Sequence, residues 1–174
     1  MRWLPFQLNP DLPESGIPRE EYVARKFGAR GKGVNERVIM AGRQVGIPFD
    51  YEKMKVQPNT LNAHRLMVFA ERSGKQDELA EELFRAHFTE GANLTDGETL
   101  AGIAARAGLD RKAAADYLAG DEDRAMVRQA DAEARTMGIG GVPFFIFNRK
   151  VGVSGAQDAE TLLEAMEQAL KDQG

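Results

Sequence analysis

Two histidines, His64 and His87, three serines, Ser15, Ser73 and Ser154, and a lysine among glycines at residues 28–33 are the first places to look for chemistry. Cysteine is absent, which excludes a thiol nucleophile, structural disulfides and thiolate metal sites within these residues. No serine lies in a Gly-x-Ser-x-Gly elbow, so serine hydrolysis is disfavoured, and Ser154-Gly155 reads as a turn. The histidines share no short ligand spacing and no cysteine joins them, so no metal site is expected. After Lys32 comes no Ser or Thr, and no buried strand precedes the glycines, so a phosphate loop fails and a loop between helices is expected. His64 stands four residues after Thr60, on one helical face, with Val68 and Glu71 a turn or two further along. Such a histidine can carry a proton near neutral pH, or it can be a hydrogen-bonded core residue; both readings stay open. His87 falls among Leu79, Ala80, Leu83 and Phe84, where packing is expected. Asn59 reads as a helix cap that can also serve as a ligand group.

The elements that would position these groups follow from apolar spacing. Two short apolar runs, residues 143–147 and 151–153, flank Asn148-Arg149-Lys150, the pattern of a β-hairpin with a three-residue loop. Pro143 cannot donate to a ladder and belongs at the first strand position. With glycines before it, Val142-Pro143 is a candidate cis peptide bond. Residues 2–8 alternate loosely and read as a strand, demoted to an edge by Pro5. Between these strands the period is helical: a helix from Pro18 to about Phe27, then one striped by Val34, Val38, Ala41 and Val45 and closed by Gly46. An apolar helix follows Asn59 or Thr60, and an amphipathic one spans residues 76–88. Others carry Leu100, Ile103, Ala104 and Ala107, start at Asp110, or run through Val127, Ala130, Ala134 and Met137 to Gly138. Leu162, Leu163, Met166 and Leu170 stripe the last.

Composition sets wide bounds. A chain of 174 residues with 43% hydrophobic and 29% charged residues is that of an ordinary globular protein. A net charge of −4 without basic runs recommends neither nucleic acid nor an anionic membrane as partner. No apolar run is long enough to span a bilayer, and residues 1–7 lack the apolar core of a signal peptide, so a cytoplasmic location is expected.

Several segments in order resemble one family: residues 3–10 (Trp-Leu-Pro-Phe-Gln-Leu-Asn-Pro), 58–66 (Pro-Asn-Thr-Leu-Asn-Ala-His-Arg-Leu), 84–91, Gly140-Gly141-Val142-Pro143-Phe144-Phe145 and residues 153–157. Together they resemble the DsbA-like thioredoxin-fold family, in its FrnE-like branch, related to 2-hydroxychromene-2-carboxylate isomerases and kappa-class glutathione transferases. The resemblance implies an α/β, incomplete thioredoxin-like fold with a large all-helical insertion. Residues 1–17 and 139–174 would form the thioredoxin-like subdomain and residues 18–138 the helical insertion.

In that family a central strand and a helix bearing Cys-x-x-Cys come before the segment that residues 2–8 resemble, so the resemblance implies a truncated, redox-inert thiol–disulfide oxidoreductase. The sheet would then lack its middle strand, and homo-oligomerisation through it is expected. Gly141, Val142 and Pro143 would face a thiol or disulfide peptide substrate, or glutathione, with Asn59 and Thr60 as further binding residues and His64 as the catalytic candidate. No resident cofactor is expected unless glutathione takes that part. The alternatives are a glutathione-dependent isomerase or transferase, which needs no cysteine of its own, and a non-catalytic peptide-binding module.

Overall fold

A computed structural model describes residues 1–28, 33 and 35–171. The chain runs β1 (Ile17–Pro18), α1 (Arg19–Phe27), α2 (Glu36–Gln44), β2 (Val56–Gln57), α3 (Leu61–Glu71), α4 (Gln76–Phe88), α5 (Gly97–Arg106), α6 (Arg111–Ala119), α7 (Arg124–Thr136), β3 (Phe144–Phe147), β4 (Val151–Ser154) and α8 (Ala159–Lys171). Of the expected loop at 28–33, residues 29–32 lie outside the described residues, as does Val34 of the stripe assigned to α2.

The helical core forms around α3, which packs against α4, α5, α6 and α7. Leu66, Leu79, Leu100 and Ile103 are its largest fully buried apolar side chains. Apolar residues lie on most of the circumference of α3, as a helix enclosed on several sides requires. Aspartate caps α5 and α6: Asp96 accepts from the Thr99 N–H at 2.8 Å and Asp110 from the Ala113 N–H at 2.7 Å.

Among the described residues, Arg65 is the one charged residue at 0% exposure. All five of its N–H groups are used: Nε donates to the Glu122 carbonyl, Nη1 to Asn62 and the Leu118 carbonyl, and Nη2 to the Tyr117 and Gly120 carbonyls. Two of these carbonyls end α6 and the other two lie in the turn to α7, so one guanidinium satisfies the C-terminal acceptors that a buried helix end leaves open. Its cation also lies over the Tyr117 ring, 5.1 Å from the centroid.

Two expectations about strands need correction. Residues 2–8 form no strand, and among the described residues there are two separate two-stranded sheets, β1–β2 and β3–β4, rather than one. The alternating apolar pattern of residues 2–8 finds no strand beside it among the described elements. Helix side chains take their backbone groups instead: Trp3 N–H donates to Gln76 Oε1 at 3.1 Å, and Gln76 Nε2 donates to the Trp3 carbonyl at 3.2 Å. The first helix begins one residue later than expected, with Pro18 at its N-cap and Ile17–Pro18 pairing with β2.

The hairpin stands as expected, in the register Phe144↔Ser154, Phe145↔Val153, Ile146↔Gly152 and Phe147↔Val151. Asn148 and Arg149 take φ of 51° and 58°, and Lys150 N–H donates to the Phe147 carbonyl at 3.0 Å. Positive φ at both central residues is what a type I′ turn requires. The Val142–Pro143 bond is cis. Against the hairpin lies α8, but its buried residues are Ala165 and Ala169, while Leu163, Met166 and Leu170 of the expected stripe stay exposed. The stripe is therefore two faces, a small-residue face that packs and a large-residue face that does not.

Arg65→Met would strand four carbonyls in or beside the core. At about 1–3 kcal/mol for each buried unsatisfied group, the loss of unfolding free energy should exceed ~3 kcal/mol, and Arg65→Lys, with three donors and no fork, should recover little of it. Urea titration of the two variants checks this.

Candidate functional site

The sequence-derived site residues fall in two places. Gly141, Val142 and Pro143 form the loop that enters β3, and Val142 is half-exposed. A Cβ built on Gly140 or Gly141 would meet nothing within 4 Å, so this loop is open to solvent along its length. Asn59, Thr60 and His64 stand at the start of α3, against the N-terminal segment. Among the described residues no hydrogen bond or ring contact joins the two groups.

Asn59 is a cap, and both ends of its amide are committed. Oδ1 accepts from the Leu61 N–H at 2.9 Å, and Nδ2 donates to the Leu12 carbonyl at 2.7 Å, tying α3 to the turn that follows residues 2–8. Thr60 is the N-cap by backbone position, and its carbonyl accepts from the His64 N–H at 2.9 Å. His64 Nε2 lies 2.9 Å from the Phe6 carbonyl, which calls for the Nε2–H tautomer when the ring is neutral. Burial pulls the His64 pKa below its ordinary value, offset in part by the Phe6 carbonyl and the Asp131 carboxylate. His87 is buried, with Nδ1 3.3 Å from the Ala92 carbonyl and its ring 4.9 Å from that of Phe88. It packs, as expected.

The cluster around His64 includes residues the sequence reading did not single out. Asp131, buried on α7, accepts from the Gln7 N–H at 2.8 Å and from Arg135 Nε at 3.0 Å. Arg135 Nη2 in turn donates to the Gln7 carbonyl, and the guanidinium covers the Phe6 ring at 4.6 Å from its centroid. One signal pointed to them: Asp131 follows the fully buried Val127 by four residues, which places its carboxylate on the inward face of α7. Opposite charges at i and i+4 look like a solvated surface pair, so the signal was easily read as ordinary. Chemically, the arrangement grips both backbone groups of Gln7 and the carbonyl of Phe6; it positions a segment and leaves no free nucleophile. Among the described residues, no group of three or more His, Cys, Asp or Glu side chains could hold a metal ion, and no helix is long and apolar enough to cross a membrane.

An open, Gly-rich loop entering a hairpin that α8 packs against, together with a helical unit that grips the N-terminal segment, has solved parallels. The DSBA-like thioredoxin domain family matches residues 1–167. The chain belongs to that family. Among solved structures it is similar to a probable DsbA oxidoreductase from Streptomyces coelicolor, at 27% identity and a TM-score of 0.87, over 97% of this chain and 74% of that one. No protein of curated function matches. The fold is thus a helix-rich, mixed α/β thioredoxin-like DsbA fold.

The lowered His64 pKa has a definite consequence. The unfolded chain takes up a proton at His64 near pH 6.5 and the folded chain does so only at lower pH, so stability is full above that value and falls as pH drops through it. His87 is shifted downward as well and acts with the same sign. Denaturant unfolding between about pH 7 and pH 5 should show this loss, and His64→Gln should flatten the profile in part, leaving the share of His87.

Proposed function

We propose that this chain is the substrate-holding body of a DsbA-like thiol–disulfide oxidoreductase of the FrnE-like branch, and that it supplies no thiol of its own. The observation that carries this reading is the open loop at residues 140–143, with Val142 49% exposed where the chain enters β3. Backbone presented in this way pairs with an extended chain as an added strand would. The ligand is a thiol or disulfide peptide, or glutathione, held by Gly141, Val142 and Pro143. Asn59, Thr60 and His64 enter as positioning groups, because Asn59 and His64 are bonded within the chain and Thr60 is the N-cap by position. In this reading residues 1–17 and 139–174 make up the thioredoxin-like subdomain and residues 18–138 its helical insertion. A cysteine-free composition also fits a reducing compartment, and we place the protein in the cytoplasm.

The same absence of cysteine favours a second reading, the glutathione-dependent isomerase or transferase branch, in which the bound tripeptide brings the thiol. Both readings need the loop to bind. They part on selectivity, since the second requires reduced glutathione to bind more tightly than an extended peptide without sulfur.

The purified chain should not reduce insulin disulfides in the presence of dithiothreitol above the uncatalysed rate, since it has no sulfur with which to form a mixed disulfide. Calorimetry should detect oxidised glutathione or a disulfide peptide, and Val142→Pro, which deletes one backbone donor, should weaken binding by about tenfold or more. Wild-type binding that Val142→Pro leaves unchanged would contradict a role for the loop.

A further inference from the structure

The two places where the candidate site residues lie are joined through one residue, Arg135. Its Nε donates to Asp131 at 3.0 Å, its Nη2 donates to the Gln7 carbonyl, and its cation covers the ring of Phe6, the residue whose carbonyl lies 2.9 Å from His64 Nε2. The backbone of Arg135 holds the other place. Helix α7 ends at Thr136; beyond it Gly138, at a φ of 85°, donates its N–H to the Arg135 carbonyl at 2.9 Å, and the Ile139 N–H donates to the Ala134 carbonyl at 3.1 Å. This pair of bonds around a glycine of positive φ is a Schellman closure, in which the last helical turn fixes the residues that follow it. Residues 138–143 therefore leave α7 from the same turn whose side chain is fastened to residues 6 and 7.

An Asp–Arg pair four residues apart on a solvated helix face holds little. This pair differs on both sides. The Asp131 side chain is only 8% exposed and also accepts from the Gln7 N–H at 2.8 Å, so the carboxylate is held from within, and the guanidinium has a carbonyl and a ring as further partners. Two turns earlier on α7, Arg128 has only an exposed partner: its Nη2 lies 3.6 Å from Glu14, with both side chains more than half exposed.

We propose that Arg135 is the positioning residue of the ligand-holding loop: by fastening the last turn of α7 to residues 6 and 7, it fixes where Gly141, Val142 and Pro143 present their backbone. The ligand, a disulfide peptide or glutathione, rests on the binding role proposed above for the loop; the anchor rests on the geometry of Arg135. Backbone groups held in place before the ligand arrives bind it without the cost of ordering them, so a loosened anchor lowers affinity with no ligand contact removed.

Two readouts separate the anchor from the ligand. In amide nitrogen relaxation of the purified chain, Arg135→Ala should give Gly138, Ile139, Gly140, Gly141 and Val142 larger-amplitude motion, while Arg128→Ala should leave them as in the wild type. Asp131→Asn, which keeps an acceptor for the Gln7 N–H but gives up the charge that holds Arg135, should act in the same direction more weakly. In calorimetry with oxidised glutathione, Arg135→Ala should weaken binding by about tenfold. Millimolar methylguanidinium, whose fork matches the Asp131 carboxylate, should restore most of that affinity, and methylammonium should not; a general loss of stability would not be repaired in this way. Loop amides that move no more in Arg135→Ala than in Arg128→Ala overturn the proposal. A loosened loop that binds with wild-type affinity overturns it too, as does a loss that methylguanidinium leaves unrepaired. A wild-type chain that binds no oxidised glutathione sinks the ligand reading of the loop alone, and the relaxation contrast between Arg135→Ala and Arg128→Ala still decides the anchor.

Discussion

Buried backbone donors and acceptors need partners, and at Trp3, Phe6 and Gln7 helix side chains supply them where no described strand lies alongside. Gln76 on α4 takes both backbone groups of Trp3. Asp131 and Arg135 on α7 take both backbone groups of Gln7, and His64 on α3 takes the carbonyl of Phe6. Aromatic contacts reinforce the grip: Trp3 donates to Asp77 at 2.6 Å and lies edge-on to Phe84, while Phe6 sits under Arg135. Three helices are thereby tied to one piece of chain, in addition to the direct packing of α3 on α4 and α7. Charged partners make several of these bonds stronger than neutral ones would be. The side-chain oxygen of Gln7 lies buried in the same place with no partner among the described residues.

The same device recurs at Arg65, whose guanidinium closes the end of α6 from inside the core. The helical part thus handles exposed backbone ends with side chains rather than with further secondary structure. The C-terminal hairpin and α8 are built differently. Their fully buried positions are small, Ile146, Leu163, Met166 and Leu170 are exposed, and only each other's surfaces cover them among the described elements. The loop that carries the proposed binding role belongs to this less enclosed part, which is where backbone remains free to meet another chain.

Legibility in the sequence followed the range of each interaction. The hairpin and helices α4 to α7 could be read because period, caps and turn residues are local signals; residues 76–88 and the Asp110 cap stand where the spacing put them. For residues 2–8 the alternation was legible but the partner was not. A strand pattern specifies extension and says nothing of whether a strand or a row of helix side chains lies alongside. Arg65 and Asp131 were missed for a related reason: their backbone partners are more than fifty residues away in sequence, and charged side chains on helices usually face water. In α8 the spacing of Leu163, Met166 and Leu170 is truly helical, yet periodicity marks a face without telling whether anything covers it. Among the candidate site residues, the sequence placed Asn59 as a cap and His87 in packing, while the role of His64 as a grip on Phe6 depended on tertiary contact.

The most direct measurement of this account is native-state hydrogen exchange over the first eight residues. If helix side chains hold the segment, the amides of Trp3 and Gln7 should be protected while those of Leu4 and Leu8 exchange quickly, and Asp131→Ala should release Gln7 alone. Protection shared by Leu4 and Leu8, as a strand ladder gives, or no protection at Trp3 and Gln7, would contradict it.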